Sequence, residues 1–579
     1  MKIALVSPFA GIEQHVFRES IILKSFKDHG HQIYYISCDK AFEQFCMTQR
    51  VHGLNFNSSI SDKKRICAIC VNNRDFIKDL LQLDGSHKMA KDSNSFYLNK
   101  QYNFDNINNT NWVDFKINGF ELGRMAFYEF ALEHKINQLT FPESLLPQYK
   151  SHLSNTITAF QSAKEILSEI KPDALIMYNS RYSVNNIFAK VAESQGIKYY
   201  TLNASGHWDE YYERFTMFCS EDESFALSKS SEWEFFKSIK LNENEILDVF
   251  KYLSSVMFQN NNWVYSESAK LIDSARLRSK FGIGKSQKVV LVTLSSEDEL
   301  IALEESCVLS FKVNYNANLT FKNLGEWLTR IFEIANKDDS IFFIIRPHPR
   351  DFPGRVAGKI RSDQANFLDN FLSKIQLPKN CYINYPAELI SIYDIMQITD
   401  LLLNQSSSVG ADFASFGIPV LHNNPEILFA YPNELGFNLN SKANYEDLIQ
   451  HLLSSKMDSE RQILAFRWLY FRFFRCPYPV ENSSKTMINR IKFYCLINFN
   501  SFSYIFKKFL LLYEYVSRNS RTYSNFHFVR CVELSLKGTH ELAHLDYTFD
   551  PADLNSMNSE NLIPALFTEF INGKLSKRK

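Results

Sequence analysis

The sequence predicts an α/β protein of two tandem Rossmann-like domains followed by a helical, aromatic-rich C-terminal extension. Three observations carry that expectation. Short apolar runs alternate with helical patterns through most of the chain, the rhythm of βα units in a parallel sheet. Nearly every apolar run ends in a polar cluster, as strands do at the edge where open sheets bind ligands. The 579 residues, 45% of them hydrophobic, are too many for one ordinary core.

The elements follow in order. Lys2 to Val6 reads as a buried first strand ended by Ser7-Pro8. A helix spans about Glu13 to His29, with Gly30 after it as a C-cap, and His31 to Ser37 is a second strand. No GxGxxG follows the first strand, so a dinucleotide fingerprint is absent. About residues 38–115 read as an insertion, polar and irregular from Val71 onward, that carries cysteines. Helices are expected from Gly119 and from about Leu145 to Ile170. The strand Ala174 to Tyr178 ends in Asn179-Ser180-Arg181-Tyr182-Ser183, and Lys198 to Leu202 is another strand. A charged helical connector fills about 221–285.

A second sheet begins at Gln287 to Leu294 and ends in Ser295-Ser296-Glu297-Asp298. The run Ile341 to Ile345 leads into Arg346-Pro347-His348-Pro349-Arg350, and Leu401 to Leu403 leads into Asn404-Gln405-Ser406-Ser407-Ser408. Parallel strands share one C-terminal edge, so these polar clusters are expected to face one ligand. Ser391 and Asp394 form a capping-box-like pair ahead of Leu401. The domains are placed at 1–280, 281–460 and 461–579.

Three serines before a helix exceed what an N-cap needs, and free N–H groups there suit a phosphate. A histidine between prolines at a strand mouth, flanked by Arg346 and Arg350, adds donors beside them. Ser295 and Ser296 line the same edge, and Glu297 and Asp298 follow them. No Asp-x-Asp stands at a strand end, so no catalytic divalent ion is expected.

Cys38, Cys46, Cys67 and Cys70 form a cluster with a Cys-x-x-Cys element. It reads either as a structural zinc site, since that spacing fits two tetrahedral ligands, or as four buried thiols; redox chemistry ranks third. Lys+Arg and Asp+Glu are both 64, which argues against a nucleic-acid-coating protein. The N-terminus lacks the pattern of a signal peptide, and no apolar run is long enough to span a bilayer. A cytoplasmic setting is expected, peripheral at the inner membrane. The aromatic stretch Asn500 to Arg518, with Lys507 and Lys508, reads as a helix packed on the domains or lying on an anionic bilayer surface.

Several of these residues also carry a family resemblance. Arg346-Pro347-His348-Pro349 resembles the HP motif of bacterial capsule-polysaccharide transferases, and Ser406-Ser407 resembles their serine motif. Asp412 to Val420 looks like the acidic-x4-Gly-x-Pro-Val signature that closes the donor site of many GT-B glycosyltransferases. Ser7-Pro8-Phe9-Ala10, Cys67-x-x-Cys70 and Tyr178 to Ser183 resemble capsule-biosynthesis proteins with a cysteine cluster. The resemblance covers roughly residues 1–475 and extends to Kdo transferases, polysialyltransferases and polyol-phosphate transferases. It implies a GT-B fold, two domains facing a cleft, and metal-independent, inverting transfer from a CMP- or CDP-activated sugar to a polysaccharide or glycolipid. The donor would be held by Arg346, His348, Arg350, Ser406, Ser407, Ser408 and Asp412, and the acceptor would lie near Asn179, Ser180, Tyr182 and Asn185. An acidic catalytic residue belongs in the first domain. The family's acidic-Gly motif is not intact here, so Glu129, Glu121, His207 and Asp209 all stay candidates. Two other readings remain: a nucleotide-sugar 2-epimerase, and a non-catalytic component of a capsule assembly complex.

Overall fold

The computed structural model describes residues 1–89, 104–204, 214–258, 265–310, 320–354, 358–425, 428–455 and 459–479, together with Ile563. His207, Asp209, the stretch Asn500 to Arg518 and the C-terminal basic tail lie outside them.

The first sheet contains β1 (Lys2–Ser7), β2 (Gln32–Cys38), β3 (Gly85–Met89), β4 (Ala174–Tyr178), β5 (Lys198–Ala204) and β6 (Arg214–Phe218). The second contains β7 (Lys288–Thr293), β8 (Ile341–Arg346), β9 (Cys381–Ile383), β10 (Leu401–Asn404), β11 (Val420–His422) and β12 (Phe437–Asn438). A last short strand, β13 (Tyr478–Pro479), returns to the first sheet and pairs antiparallel with β6. The orders are β13-β6-β5-β4-β1-β2-β3 and β12-β11-β10-β7-β8-β9. Pairing is parallel throughout the second sheet. In the first sheet only β5–β6 and β6–β13 are antiparallel. These are two Rossmann-like domains of the GT-B type, with the chain crossing back at its end.

The strands are apolar because both faces of each sheet are covered. Val289 to Val292 and Phe343 to Ile345 have no exposed surface. The helix Glu13–Asp28 ends before Gly30, whose φ of +78° reverses the chain at little steric cost.

Three parts of the chain differ from expectation. Within the stretch expected to be irregular from Val71, residues 71–89 are the end of a helix and an edge strand. Ile60–Leu81 is a helix that buries Ile66, Ile77 and Leu81, and β3 pairs in register with β2. Sequence polarity hid this, because only one helix face and an edge strand are involved. The connector after β6 packs against the second sheet: Trp233, Val249, Leu253 and Leu277 share a cluster with Leu291 and Phe342. The helix Ser459–Tyr470 also joins that cluster through Ala465, Phe466, Trp468 and Leu469. Its continuation, Phe471–Arg475, is a π-helical turn that leads to β13.

Asp394 departs from its expected capping role as well. Ser391 alone caps the helix Ile392–Met396, and the Asp394 carboxylate accepts the Lys270 N–H at 3.0 Å, pinning the connector to the second domain.

Candidate functional site

In each sheet the strand order reverses once, between β1 and β4 and between β7 and β10. Such a reversal opens a crevice at the C-terminal edge, because the loops on either side run in opposite directions. The loops at the two edges meet. Lys135 is buried and donates to the carbonyl of Arg350 and to that of Ile360, the latter at 2.5 Å. Asn186 Nδ2 donates to Ser306 O at 2.9 Å, and Arg124 pairs with Glu305.

In the second crevice the loops after β7 and β10 are stitched together. Ser406 N donates to Ser295 Oγ at 3.0 Å, Ser295 N donates to Gln405 Oε1 at 2.9 Å, and Thr293 Oγ1 donates to Asn404 Oδ1 at 2.8 Å. Ser295 and Ser296 are therefore buried supports. Ser296 Oγ donates to Asp298 at 2.6 Å and to Asp351 at 3.1 Å. Ser406 and Ser407 are half-buried and Ser408 is exposed. Ser408 makes no side-chain cap bond to the helix Val409–Ser415.

Gly410 in that helix has no room for a side chain. A Cβ there would overlap the Tyr431 hydroxyl, which also accepts from Asn404 Nδ2 at 2.7 Å. Gly410→Ala is expected to cost about 1–3 kcal/mol through overpacking. A urea midpoint unchanged from wild type would count against that tight contact.

The cluster after β8 divides into supports and one presented group. Arg346 is buried, hydrogen-bonded to Asn384 and, at 3.5 Å, to Ser266 Oγ; burial lowers its pKa to about 10. Arg350 is buried too. It pairs with Asp298, reaches Glu299 at 3.2 Å and donates to Leu132 O of the first domain at 3.3 Å. His348 is the half-buried member. Its Nδ1 accepts the Arg350 backbone N–H at 3.3 Å, so the neutral ring carries its proton on Nε2. Burial, followed by Arg350, Arg346 and Lys135, pushes its pKa down to about 3, and the ring stays neutral at ordinary pH. Among the described residues nothing accepts from Nε2, and Tyr265 packs edge-on against the ring at 5.4 Å. Asp412 turns inward: it accepts from Tyr393 Oη at 2.9 Å, and burial raises its pKa to about 7.

In the first crevice Ser180 and Asn185 are buried supports. Ser180 Oγ donates to Glu221 at 2.6 Å, and Asn185 Nδ2 donates to Tyr178 O at 2.7 Å. Asn185 thereby holds the turn in which Asn179 takes a φ of +56°. Arg181 and Tyr182 are half-buried at the mouth. Glu129 accepts both the N–H and the hydroxyl of Ser183, at 2.8 and 3.0 Å, and so caps the helix Ser183–Ser194. Burial raises Glu129 to about 7, and its other oxygen is buried without a partner. Glu121 pairs with Lys116 at 2.6 Å and accepts from Cys307 Sγ at 3.2 Å; Lys116 holds it below the usual carboxylate value.

Sequence reading missed the floor of this crevice. His15 stacks on Tyr178 at 4.0 Å, Arg18 lies over the same ring at 5.8 Å, and Ser7 donates to Glu19 at 2.5 Å. Tyr35 in turn donates to Ser7 at 3.1 Å. The spacing of His15, Arg18 and Glu19 on one helix face was the available signal. Burial raises Glu19 to about 8 from an ordinary 4.5. The native state therefore keeps a proton that the unfolded chain releases, and stability falls as pH rises through that window. Glu19→Gln is expected to flatten the decline, which for one group is at most ~1.4 kcal/mol per pH unit. Urea midpoints at pH 5 and pH 8 check it, and equal slopes in both proteins would refute it.

The four cysteines gather beneath the loop after β1. Cys70 Sγ accepts the Gly11 N–H at 3.2 Å, and Cys67 Sγ accepts from Gln49 Nε2 at 3.6 Å. Burial pushes Cys38 up to about 12 and Cys70 to about 11, and raises Cys46 and Cys67. Among the described residues no group of three or more His, Cys, Asp or Glu side chains is arranged to hold a metal ion. No helix among them is long and apolar enough to cross a membrane.

No family model matches this chain, and no curated protein does. Solved structures resemble it at low identity. The UDP-GlcNAc 2-epimerase of Neisseria meningitidis bound to UDP-GlcNAc is 13% identical, covering 85% of this chain and 99% of its own, with a TM-score of 0.26. The corresponding enzyme of Methanocaldococcus jannaschii is 11% identical over 85% and 100%, TM-score 0.28. The spinosyn rhamnosyltransferase SpnG with spinosyn aglycone is 10% identical over 84% and 99%, TM-score 0.24. Likeness at this level says nothing of this chain's substrate.

Proposed function

We propose that the protein is a glycosyltransferase that moves a sugar from a nucleotide-activated donor, of CMP or CDP type, to a growing surface polysaccharide or glycolipid. The observation that carries this reading is His348: a neutral imidazole whose Nε2–H is unpartnered among the described residues, at the mouth of β8. β8 and β10 flank β7, so His348 and Ser406 to Ser408 follow strand ends two strand spacings apart, ~10 Å. That span suits the phosphates of a nucleotide.

The leaving nucleotide gains negative charge as the glycosidic bond breaks. Hydrogen-bond donors already fixed at that position stabilise the transition state more than the ground state. His348 Nε2–H supplies a neutral donor, and Ser406, Ser407 and Ser408 supply hydroxyls. Arg346 and Arg350 act by holding the turn. The acceptor would enter from the first domain, beside Arg181 and Tyr182. Transfer in this scheme is inverting and uses no metal.

The decisive experiment incubates the protein with CMP-, CDP- and UDP-sugars, with and without polysaccharide or glycolipid acceptor. Acceptor-dependent nucleotide release supports transfer. Acceptor-independent conversion of a UDP-sugar to its epimer would make the protein an epimerase. No turnover and no nucleotide binding with any donor would leave the non-catalytic reading.

A further inference from the structure

Three acidic residues follow β7 at the start of the helix Glu297–Glu305, and the structure gives each a different task. Glu297 Oε1 accepts from Gln405 Nε2 at 3.2 Å, and its Oε2 accepts from Asn137 Nδ2 at 3.5 Å. Asp298 is buried and taken up by Ser296 and Arg350. Glu299 has one partner: its Oε1 lies 3.2 Å from Arg350 Nε, and among the described residues no other hydrogen bond or ion pair reaches the carboxylate. Its side chain is 50% exposed.

The helix sets the direction in which that carboxylate faces. Residues three and four apart share a helix face. Ala302 and Leu303 bury in the core of the first domain, in one cluster with Tyr128, Phe130 and Ala131. One turn on, the Ser306 carbonyl accepts from Asn186 Nδ2 of the first domain at 2.9 Å. Glu299 stands one turn back on the same face, where its exposure shows that the contact between the domains has given way to solvent. Its place along the second sheet is equally defined. β7 lies between β8 and β10, so Glu299 follows the strand between the one that leads to His348 and the one that leads to Ser406. Arg350 ties it to the first of these: its Nε holds Glu299, and its backbone N–H holds His348 Nδ1.

We propose that Glu299 is the general base of the transfer, the catalytic residue that removes the proton from the acceptor hydroxyl. The inference rests on the transferase reading. The acceptor oxygen forms a bond to the anomeric carbon of the donor. The bond from that carbon to the nucleotide phosphate breaks, and its electron pair leaves on the phosphate. The acceptor proton passes to a Glu299 oxygen and from there to water as product leaves. An inverting transfer needs its base on the acceptor's side of the sugar while donors grip the leaving group. Glu299 meets that need from the second domain, because it faces the first. Glu129 is occupied as a helix cap, and Glu121 by Lys116 and Cys307. The walls of the cleft also hinder hydration of the Glu299 carboxylate and raise its pKa; Arg350 opposes the shift, Asp298 adds to it and Arg181 opposes it. The phenols of Tyr128 and Tyr265 face it as well. A base must be ionised to act, so the rate should fall as pH drops through that raised value.

The test measures steady-state transfer by the full chain with the donor and acceptor that wild type uses. Glu299→Gln is expected to lower kcat by roughly 10²–10⁴, the effect of losing a general base. Nucleotide affinity and the urea midpoint should stay close to wild type, since Arg350 keeps Asp298. The fall of kcat/KM toward low pH should be present in wild type and absent from Glu299→Gln. Glu299→Ala should regain rate as formate is added, because a small carboxylate fits the space left and accepts the proton. A residue that only positioned Arg350 would show neither behaviour. Transfer by Glu299→Gln within about threefold of wild type would overturn the proposal and leave the transferase reading standing. So would an acid limb retained in Glu299→Gln, or a lowered urea midpoint in Glu299→Ala with no response to formate. No acceptor-dependent nucleotide release by wild type with any donor would overturn both.

Discussion

Replacing Arg350 by methionine is expected to destabilise the second domain by about 3–5 kcal/mol, the cost of leaving a buried charge unpaired. Asp298 is 2% exposed and its partner is the Arg350 guanidinium, with Ser296 as the other contact. Asp351, also buried and raised to about 7, lies against the same serine. Removing the guanidinium strands one carboxylate and deepens the penalty on the other. The loss also frees Leu132 O of the first domain, so the domain junction should loosen together with the second core. Urea midpoints measured by fluorescence and by limited proteolysis of the junction would report both. The double variant Arg350→Met with Asp298→Asn should recover much of the loss, because it removes both charges. A midpoint for Arg350→Met within ~0.5 kcal/mol of wild type would mean that the pair is solvated and that Arg350 is free for a ligand.

His348→Ala is expected to have the opposite profile: stability close to wild type, nucleotide affinity down by roughly tenfold, and kcat down by ~10²–10³, the usual effect of deleting one transition-state donor. The ring is half-buried and packs edge-on against Tyr265, so its removal leaves no large cavity. His348→Gln keeps a donor and should recover part of the rate. The pH dependence separates this role from that of a charged histidine. With its pKa near 3, His348 is neutral and an Nε2–H donor throughout pH 5–8, so nucleotide affinity should be flat there apart from the nucleotide's own titration. Affinity that rises as pH falls through about 6.5 and vanishes in His348→Ala would show an imidazolium and refute the neutral-donor role.

These two predictions divide a cluster that reads as one unit in sequence. Arg346, His348 and Arg350 look equivalent along the chain. The residues that separate them come from far away: Asn384 and Ser266 for Arg346, and Asp298 and Leu132 for Arg350. The serines divide in the same way. Ser295 and Ser296 are consumed by Ser406, Asp298 and Asp351, whereas Ser406 to Ser408 present hydroxyls. Asp412 was grouped with the donor site, yet its carboxylate faces Tyr393. Glu129, nominated as a base, caps a helix.

By itself the sequence determined the parallel strands at the centre of both sheets and the polar clusters that end them, but not the outer strands β3, β6 and β13. Fully buried strands must be apolar along their whole length, and helices between them must be capped and amphipathic, so both leave local signals. Tertiary structure decided what each polar residue does. A buried hydroxyl, carboxylate or guanidinium must find a partner, and that partner is set by packing across sheets and domains, not by spacing along the chain. It also decided that the chain returns to the first domain at its end, where Tyr478–Pro479 pairs with β6 across more than two hundred and fifty residues of intervening sequence.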